Sequence, residues 1–362
     1  MSLKITRVGG RIVRVPLIEP FAIATQTMEE CEHILAFVET DAGLTGVGSV
    51  STIPAFMGET GDIILSAINY LAPALVGRDP FDIEAIVEAM DAELAGISSA
   101  KAAIDFACHD VMGKSLDMPV YRLIGGKVRT RIDCTWVIGI KGVRETVAEG
   151  LARFQEGYRV LKVKIGHNDR DDHEKIRLLR AELGPEPAIR IDANTAYTVD
   201  HGIRFLSKLV EYDLEMIEQP CRSADIAGMA RLRRALPVPI LADESAMSLE
   251  DVHRIIDAGA ADIINIKLGK VGGIHKARKV AALAKAANLT VIVGSNMELG
   301  PGIAAGAHLA ASTSHIRYAS DLFAGVLLHR HDLVEDMWDH QAMTIKVPEG
   351  PGLGVTLIER VN

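Results

Sequence analysis

Aromatic residues are scarce in this chain. Phe, Trp and Tyr make up 4% of 362 residues, although 48% are hydrophobic. A core drawn from that supply is aliphatic, as expected of helices packed on a parallel sheet. A basic excess is missing too: the formal charge is −9, which argues against nucleic acid and against anionic membranes as partners. A small anionic substrate stays open, because local lysines and a metal decide that. The four cysteines, Cys31, Cys108, Cys134 and Cys221, form no Cys-x-x-Cys pair. They read as free thiols in a cytoplasmic setting, not as a zinc site. No charged-then-apolar leader and no unbroken apolar run of about 18 residues occurs, so neither secretion nor a membrane span is expected. No Gly-x-Gly-x-x-Gly follows the first strand candidate and no His-Glu-x-x-His is present. Those absences set aside a dinucleotide fold and a zincin site.

What the chain has instead is a rhythm of charge. Lys164, Asp192, Glu218, Asp243 and Lys267 follow one another at intervals of 28, 26, 25 and 24 residues. Each ends a short apolar, β-branched run, such as Val160-Leu-Lys-Val-Lys164 or Asp262-Ile-Ile-Asn-Ile-Lys267. Roughly 25 residues is what one strand, one helix and two loops consume in a (β/α)₈ barrel, whose active site lies at the C-terminal strand ends. The texture before that rhythm differs. Residues 4–50 read as a β-meander, with Asp41-Ala-Gly43 as a turn and Glu19–Thr27 as a loop without a clean period. Residues 60–125 read as helices, from the spacing of Ile63, Ile64, Ala67, Ile68 and Leu71 and of Ala103, Ile104, Phe106, Ala107 and Val111. Strand candidates then lie near 132–138, 159–165, 188–192, 215–218, 239–243, 262–267, 290–294 and 316–320. The expected organisation is an α+β unit over 1–125, a barrel over 126–324, and a segment over 325–362 that packs back on the first unit.

Lys162 and Lys164 lie two apart on one strand and so share a face, the barrel interior. Two neighbouring ammonium groups repel, which is expected to lower a lysine pKa toward neutrality and make a general base. Asp192, Glu218 and Asp243 come from successive strands about 4.8 Å apart and can meet at one point. Unpaired, they would repel; a hard divalent cation removes that repulsion. All-oxygen ligation favours Mg²⁺, with Mn²⁺ expected to substitute. Asn194 and Gln219 sit beside the ligands and are expected to orient them. Glu244 is expected to face away, and Lys270 reads as a loop or surface lysine. Lys267 stands across the mouth from Lys164, so the two amines are the candidate catalytic pair, assisted by Lys162 and Asn194. Ser295, Asn296 and Glu298 are polar groups after strand seven, placed to hydrogen bond substrate or Lys267. Asp321 and Phe323 end strand eight and shape the pocket.

In order and spacing, Lys162-Val-Lys164, Asp192-Ala-Asn194, Glu218-Gln-Pro220, Asp243-Glu-Ser245 and Lys267 resemble the enolase superfamily, specifically its muconate-lactonizing subgroup. Ser99–Asp105, Pro119–Gly126 and Pro351-Gly-Leu-Gly354 extend the similarity over nearly the whole chain. The resemblance implies an α/β protein: a modified (β/α)₇β TIM-type barrel under an N-terminal α+β capping domain. It implies a Mg²⁺-stabilised enediolate formed by removing a proton α to a carboxylate, a small-molecule carboxylate substrate, and a homo-oligomer. It also implies that Phe21–Thr27 and Ser51–Glu59 are loops closing over the substrate. Phe21, Thr25, Thr52, Thr135, Asp321 and Phe323 are the candidate substrate contacts. Asp321-Leu-Phe323 stands where dipeptide epimerases carry Asp-x-Asp, and Asp321–Leu328 is similar to the Glu-Leu-Phe-Gly-Pro stretch of muconate cycloisomerases. That similarity tips the reading toward a cycloisomerase. The alternative is a racemase or epimerase of an amino-acid derivative or dipeptide, using both lysines. A non-catalytic descendant would predict a broken site, and every position of the set is intact.

Overall fold

The computed structural model describes residues 3–322, 327–335, 337–339 and 341–358. Three long strands open the chain: β1 (Ile5–Ile23), β2 (Gln26–Thr40) and β3 (Thr45–Ser51), antiparallel in the order β1-β2-β3. The stretch read as a loop is a hairpin end. Phe21 pairs with Met28, Ala22 with Thr27 and Ile23 with Gln26. Cross-strand pairing carries the strand through residues whose own sequence shows no alternation.

Helices follow: α1 (Pro54–Met57), α2 (Gly61–Leu75), α3 (Ile83–Glu93), α4 (Ser98–Ser115) and α5 (Val120–Leu123). Thr60 caps α2 by accepting from the Ile63 amide. The buried stripe of α2 is Ile64, Ala67, Ile68, Leu71 and Leu75, whereas Ile63 faces solvent. Helix α4 is buried from Ser99 to Gly113, because it runs between the meander and the barrel. Its small residues admit β3 at backbone distance. A Cβ on Gly48 would stand 2.1 Å from the Ala103 carbonyl oxygen, and one on Gly46 1.9 Å from that of Ala107.

The barrel follows as β4 (Arg131–Asp133), β5 (Trp136–Ile138), α6 (Val143–Glu156), β6 (Val160–Lys164), α7 (Asp169–Leu183), β7 (Ala188–Asp192), α8 (Val199–Leu206), β8 (Leu214–Glu218), α9 (Ile226–Ala235), β9 (Ile240–Ala242), α10 (Leu249–Ala258), β10 (Ile263–Ile266), α11 (Leu268–Val271), α12 (Ile274–Ala286), β11 (Thr290–Val293) and α13 (Gly300–Ser312). Strands β5 to β11 form one seven-stranded parallel sheet in sequence order. The segment 316–320 supplies the closing rung: Ile316 bridges Val291, and Ser320 bridges Cys134, both in parallel sense. The architecture is thus a TIM-type barrel with an N-terminal cap. The stretch expected as a single first strand, 132–138, is split. Its second half, β5, joins the barrel. Its first half, β4, pairs antiparallel with β13 (Thr344–Lys346), which pairs with β12 (Trp338–Asp339). The residues beyond 326 also touch the cap, where His329 bridges Leu17 and the Leu353 amide donates to Asp110.

Among the described residues, no helix is long and apolar enough to cross a membrane. The close approach of β3 to α4 generates a prediction. Gly48→Ala is expected to destabilise the protein by about 1–3 kcal/mol through overpacking, whereas Gly9→Ala, with nothing within 4 Å of the added carbon, is expected to cost no more than about 0.5 kcal/mol. Denaturant titration of both variants checks the pair.

Candidate active site

The strand ends bring the five rhythmic residues to one mouth. Lys164 ends β6, Asp192 ends β7 and Glu218 ends β8, and the register places Lys164 beside Asp192 and Asp192 beside Glu218. Asp243 and Lys267 each follow immediately on their strands, β9 and β10. All five are buried. Backbone strain accompanies them. Asn194, Thr195, Gln219 and Met297 all have left-handed φ, between 35° and 69°, just beyond β7, β8 and β11. Non-glycine residues hold that conformation only where the surroundings enforce it. Gln219 shows how: its Oε1 accepts from the amides of Asp243 (3.0 Å) and Ser245 (3.1 Å), and its Nε2 donates to Ser245 Oγ (2.7 Å). It ties the end of β8 to the turn after β9.

Each carboxylate of the trio is turned onto an ammonium. Lys162 Nζ lies 3.1 Å from Asp192 Oδ2, 2.7 Å from Glu218 Oε2 and 2.8 Å from Asp321 Oδ2. Lys164 Nζ lies 2.6 Å from Asp192 Oδ2 and donates to Asn194 Oδ1 at 2.9 Å. Lys267 Nζ lies 2.7 Å from Asp243 Oδ2. Among the described residues, no three acidic, histidine or cysteine side chains are gathered as a ready ligand cage.

The electrostatics still fit a divalent cation. Burial, then the charges of Asp192 and Asp243, push Glu218 up to about 8 against the pull of Lys162. Asp243 Oδ2 faces Lys267 without an aligned hydrogen bond. Three dry carboxylates from adjacent strands, one of them reluctant to ionise beside the others, form a hard all-oxygen donor set of the kind Mg²⁺ takes.

Several expectations are corrected. The Lys162 ammonium is not driven toward neutrality by Lys164. Burial lowers its pKa, but Asp321, Glu218 and Asp192 outweigh that and hold it well above the ordinary lysine value. Glu244 faces the site, because β9 ends at Ala242 and alternation no longer applies. It accepts from Asn194 Nδ2 at 3.0 Å, and burial, then Asp243 and Asp192, push it up to about 7. Lys270 is not a surface residue. The single turn of α11 swings it inward, where it is 1% exposed and donates to Asp243 Oδ1 and to the carbonyls of Asp243 and Asn265, each at 2.8 Å. Spacing carried a hint, since Lys267 and Lys270 lie three apart, on one side of a helical turn. Arg190 was also missed, although it sits two residues before Asp192 and so shares its face. It donates to Thr135 Oγ1 (2.9 Å) and Asp321 Oδ1 (3.4 Å), and its Nε pairs with Glu215 (2.5 Å).

The candidate substrate contacts divide. Phe21, Lys162, Lys164, Asn194, Lys267, Ser295 and Asp321 line a common cavity. Thr135 does not; it is fully buried against Arg190. Nor do Thr25, exposed at the hairpin tip, and Thr52, buried and directed at the Glu32 carbonyl. Phe323 lies outside the described residues. Asn296 and Glu298 close the loop after β11 on itself. Glu298 Oε2 accepts from Ser295 Oγ and from the Asn296 amide, each at 2.7 Å, while the Asn296 carbonyl takes the Ser51 hydroxyl.

Known proteins share this plan. The family model "Enolase C-terminal domain-like" matches residues 144–361, and "Mandelate racemase / muconate lactonizing enzyme, N-terminal domain" matches residues 7–125. The N-succinyl-L-Arg/Lys racemase of Bacillus cereus is 35% identical over 99% of this chain and 96% of its own. Muconate cycloisomerase 1 of Rhodococcus opacus is 34% identical over 98% of this chain and 96% of its own. The solved dipeptide epimerase from Enterococcus faecalis, complexed with Mg and L-Leu-L-Tyr, superposes with a TM-score of 0.93 at 32% identity, covering 98% of this chain and 99% of that one. With both of its parts matched and the strand-end residues in register, this chain belongs to the enolase superfamily, in the mandelate racemase/muconate lactonizing enzyme family, and is an isomerase of that superfamily.

Proposed function

We propose that this chain is a Mg²⁺-dependent racemase or epimerase that exchanges the proton on the carbon next to a substrate carboxylate. The observation that carries the reading is the pairing of Lys164 and Lys267. They come from separate strands, line the same cavity, and each touches a different carboxylate of the trio. Asp192, Glu218 and Asp243 would hold the cation. When bound, Mg²⁺, or Mn²⁺ in its place, supplies positive charge opposite the carboxylate oxygens on which charge builds as the α-proton leaves. The lysines do the proton work. One unprotonated amine takes the α-proton, so that the C–H bond breaks, an N–H bond forms and the electron pair passes toward the carboxylate. The ammonium across the cavity returns a proton to the other face, which inverts the centre. Lys162, ringed by Asp192, Glu218 and Asp321, contributes a fixed positive charge; Asn194 orients Lys164 and Asp192. The four cysteines, all free and buried, support a reducing, cytoplasmic setting.

Lactone formation from a muconate-like dicarboxylate is the second reading. The stretch Asp321–Leu328 and the muconate cycloisomerase relatives favour it. Both lysines belong to that subgroup's motif set as well, so the pair suits either reaction. Lactonisation stands second because Phe21, Ile23, Met28, Ile53, Phe56 and Met297, which line the cavity opposite the lysines, offer no group for a second carboxylate. Residues 323–326 of that stretch lie outside the described ones.

In D₂O with Mg²⁺, a racemising substrate is expected to gain α-deuterium and to yield both hands. Lys164→Ala and Lys267→Ala are each expected to lower racemisation by about 10²–10⁴-fold, with the far-ultraviolet spectrum unchanged. A variant that still inverts the centre at the wild-type rate would refute the two-base reading. Removing divalent ions with a chelator is expected to abolish exchange. Independently of activity, Mg²⁺ at a hundredfold excess over its Kd is expected to stabilise the fold by about 2.7 kcal/mol. Thermal melts check this, and the gain is expected to vanish in Asp243→Asn.

A further inference from the structure

Lys270 is buried in the barrel mouth, yet proton transfer between Lys164 and Lys267 gives it no part. Lys267 lines the cavity, where the Phe56 ring of the apolar roof lies over it, Nζ 4.4 Å from the centroid. Lys270, three residues on, is not among the residues that line it. The turn that carries it, α11, ends against α4. Gly272 closes the turn with φ 91°, and a Cβ on Gly273 would stand 2.5 Å from Asp105 Cγ. The Lys270 ammonium has three acceptors, Asp243 Oδ1 and the carbonyls of Asp243 and Asn265, each at 2.8 Å. Three acceptors take three N–H groups, which the ammonium has and the neutral amine lacks. Burial lowers its pKa from the ordinary lysine value, and Asp243 opposes that fall. Asn265 extends the contact, since its Nδ2 donates to Glu218 Oε1 at 3.3 Å. Lys270 thus joins the ends of β9 and β10 from outside the space a substrate would fill.

Asp192 and Asp243 are held alike in one respect. Each gives one oxygen to a fixed donor and turns the other toward a lysine that lines the cavity. At Asp192 the fixed donor is neutral: Oδ1 accepts from the Asn194 amide at 2.9 Å, while Oδ2 faces Lys162 and Lys164. At Asp243 the fixed donor is charged: Oδ1 takes Lys270, while Oδ2 faces Lys267. The sharing differs too. Lys162 divides its charge among Asp192, Glu218 and Asp321. Lys267 and Lys270 have, among the described residues, no carboxylate but Asp243 within ion-pair distance. Two ammonium groups on one carboxylate leave an excess of positive charge on this side of the trio. In a dry site that excess weakens the pull of the trio on a divalent cation. It also leaves Asp243 with a partner when Lys267 turns to the substrate, so that no buried carboxylate stands bare.

We propose that Lys270 is a positioning residue and a standing counter-charge for Asp243. It fixes Oδ1, leaves Oδ2 to the cation and to Lys267, and moderates the affinity of the mouth for the cation. This inference rests on the metal reading given above.

The test needs no substrate. Mn²⁺ is titrated into the full chain, and the paramagnetic resonance signal of the free ion gives its Kd. Lys270→Met keeps the length of the side chain and removes its charge, so the mouth becomes one unit more negative. The variant is expected to lose stability in chelator yet to bind Mn²⁺ at least about tenfold more tightly than wild type. In thermal melts at equal Mg²⁺, the gain from the ion is expected to grow by about 1.4 kcal/mol for each tenfold. A lysine that merely braced the strands would give the opposite sign, because an Asp243 out of place binds the ion less well. Unchanged or weaker Mn²⁺ binding in Lys270→Met would therefore overturn the counter-charge. Lys101→Met is the control, since Lys101 is also buried but pairs with Asp91 in the cap. It is expected to lose stability and keep the wild-type Kd; an equal tightening there would also overturn the inference. If Lys270→Met is unfolded in chelator, Mn²⁺ is expected to restore the fold by replacing the lost charge. Failure of both Lys270→Met and Lys270→Gln to fold even with Mn²⁺ would assign the lysine to folding alone. Absence of Mn²⁺ binding by the wild-type chain would instead refute the metal reading itself.

Discussion

Charge compensation in a dry barrel mouth is the constraint on which this structure depends. Lys162, Lys164, Lys267 and Lys270 are buried together with Asp192, Glu218, Asp243 and Asp321. None of these groups could be held there alone, because an isolated charge loses its hydration and gains nothing in return. As a lattice of alternating sign they hold one another in place. Glu218 is the exception that exposes the design. It has a single ammonium contact and three neighbouring acids, Asp192, Asp243 and Asp321, and it is pushed up while Asp192 and Asp243, each with two lysines, are pulled down. The divalent cation proposed for this trio would offset that crowding of acids.

The rest of the fold serves the mouth. Parallel strands with aliphatic sides give the helices a smooth surface and leave the strand ends to carry polar residues. The cap closes over those ends because β3 lies on α4 at a distance only glycine permits, at Gly46 and Gly48. Helix α4 is in turn bound to the barrel: Asp105 accepts from the amides of Ile274 and His275, at the start of α12. Glu59, just after α1, accepts from the Ser99 amide in the first turn of α4. A continuous path of packing and hydrogen bonds thus leads from the barrel, through α4, to the short turn that sets Phe56 over Lys267. The roof is apolar and the floor is ionic because they are built by different parts of the chain.

Much of this was legible in the residues themselves. The intervals between Lys164, Asp192, Glu218, Asp243 and Lys267 report a repeating strand–helix unit, and a charge that ends each apolar run reports which end of the strand bears the chemistry. What escaped was contact between residues distant in sequence. Glu19–Thr27 lacks alternation, and Phe21 and Ile23 within it line the cavity, so the strand character of Phe21–Ile23 comes from pairing with Gln26–Met28. Residues 132–138 look like one strand, yet β4 turns aside to a partner more than 200 residues later. Lys270 reads as a surface residue because a lysine after a strand most often is one; the one-turn helix α11 reverses that. Thr135 looked like a mouth residue and instead braces Arg190 below it.

The sequence by itself determined the barrel and the acids and amines that reach its mouth. Those follow from local periodicity and from the fixed geometry of strands, which a linear pattern records. Only the tertiary structure decided which ammonium faces which carboxylate, that Asp321 is spent on Lys162 and Arg190, and that a phenylalanine from the cap lies over Lys267. Those depend on through-space distance between segments that come together only when the chain closes on itself, and electrostatic energy follows that distance, not separation along the chain.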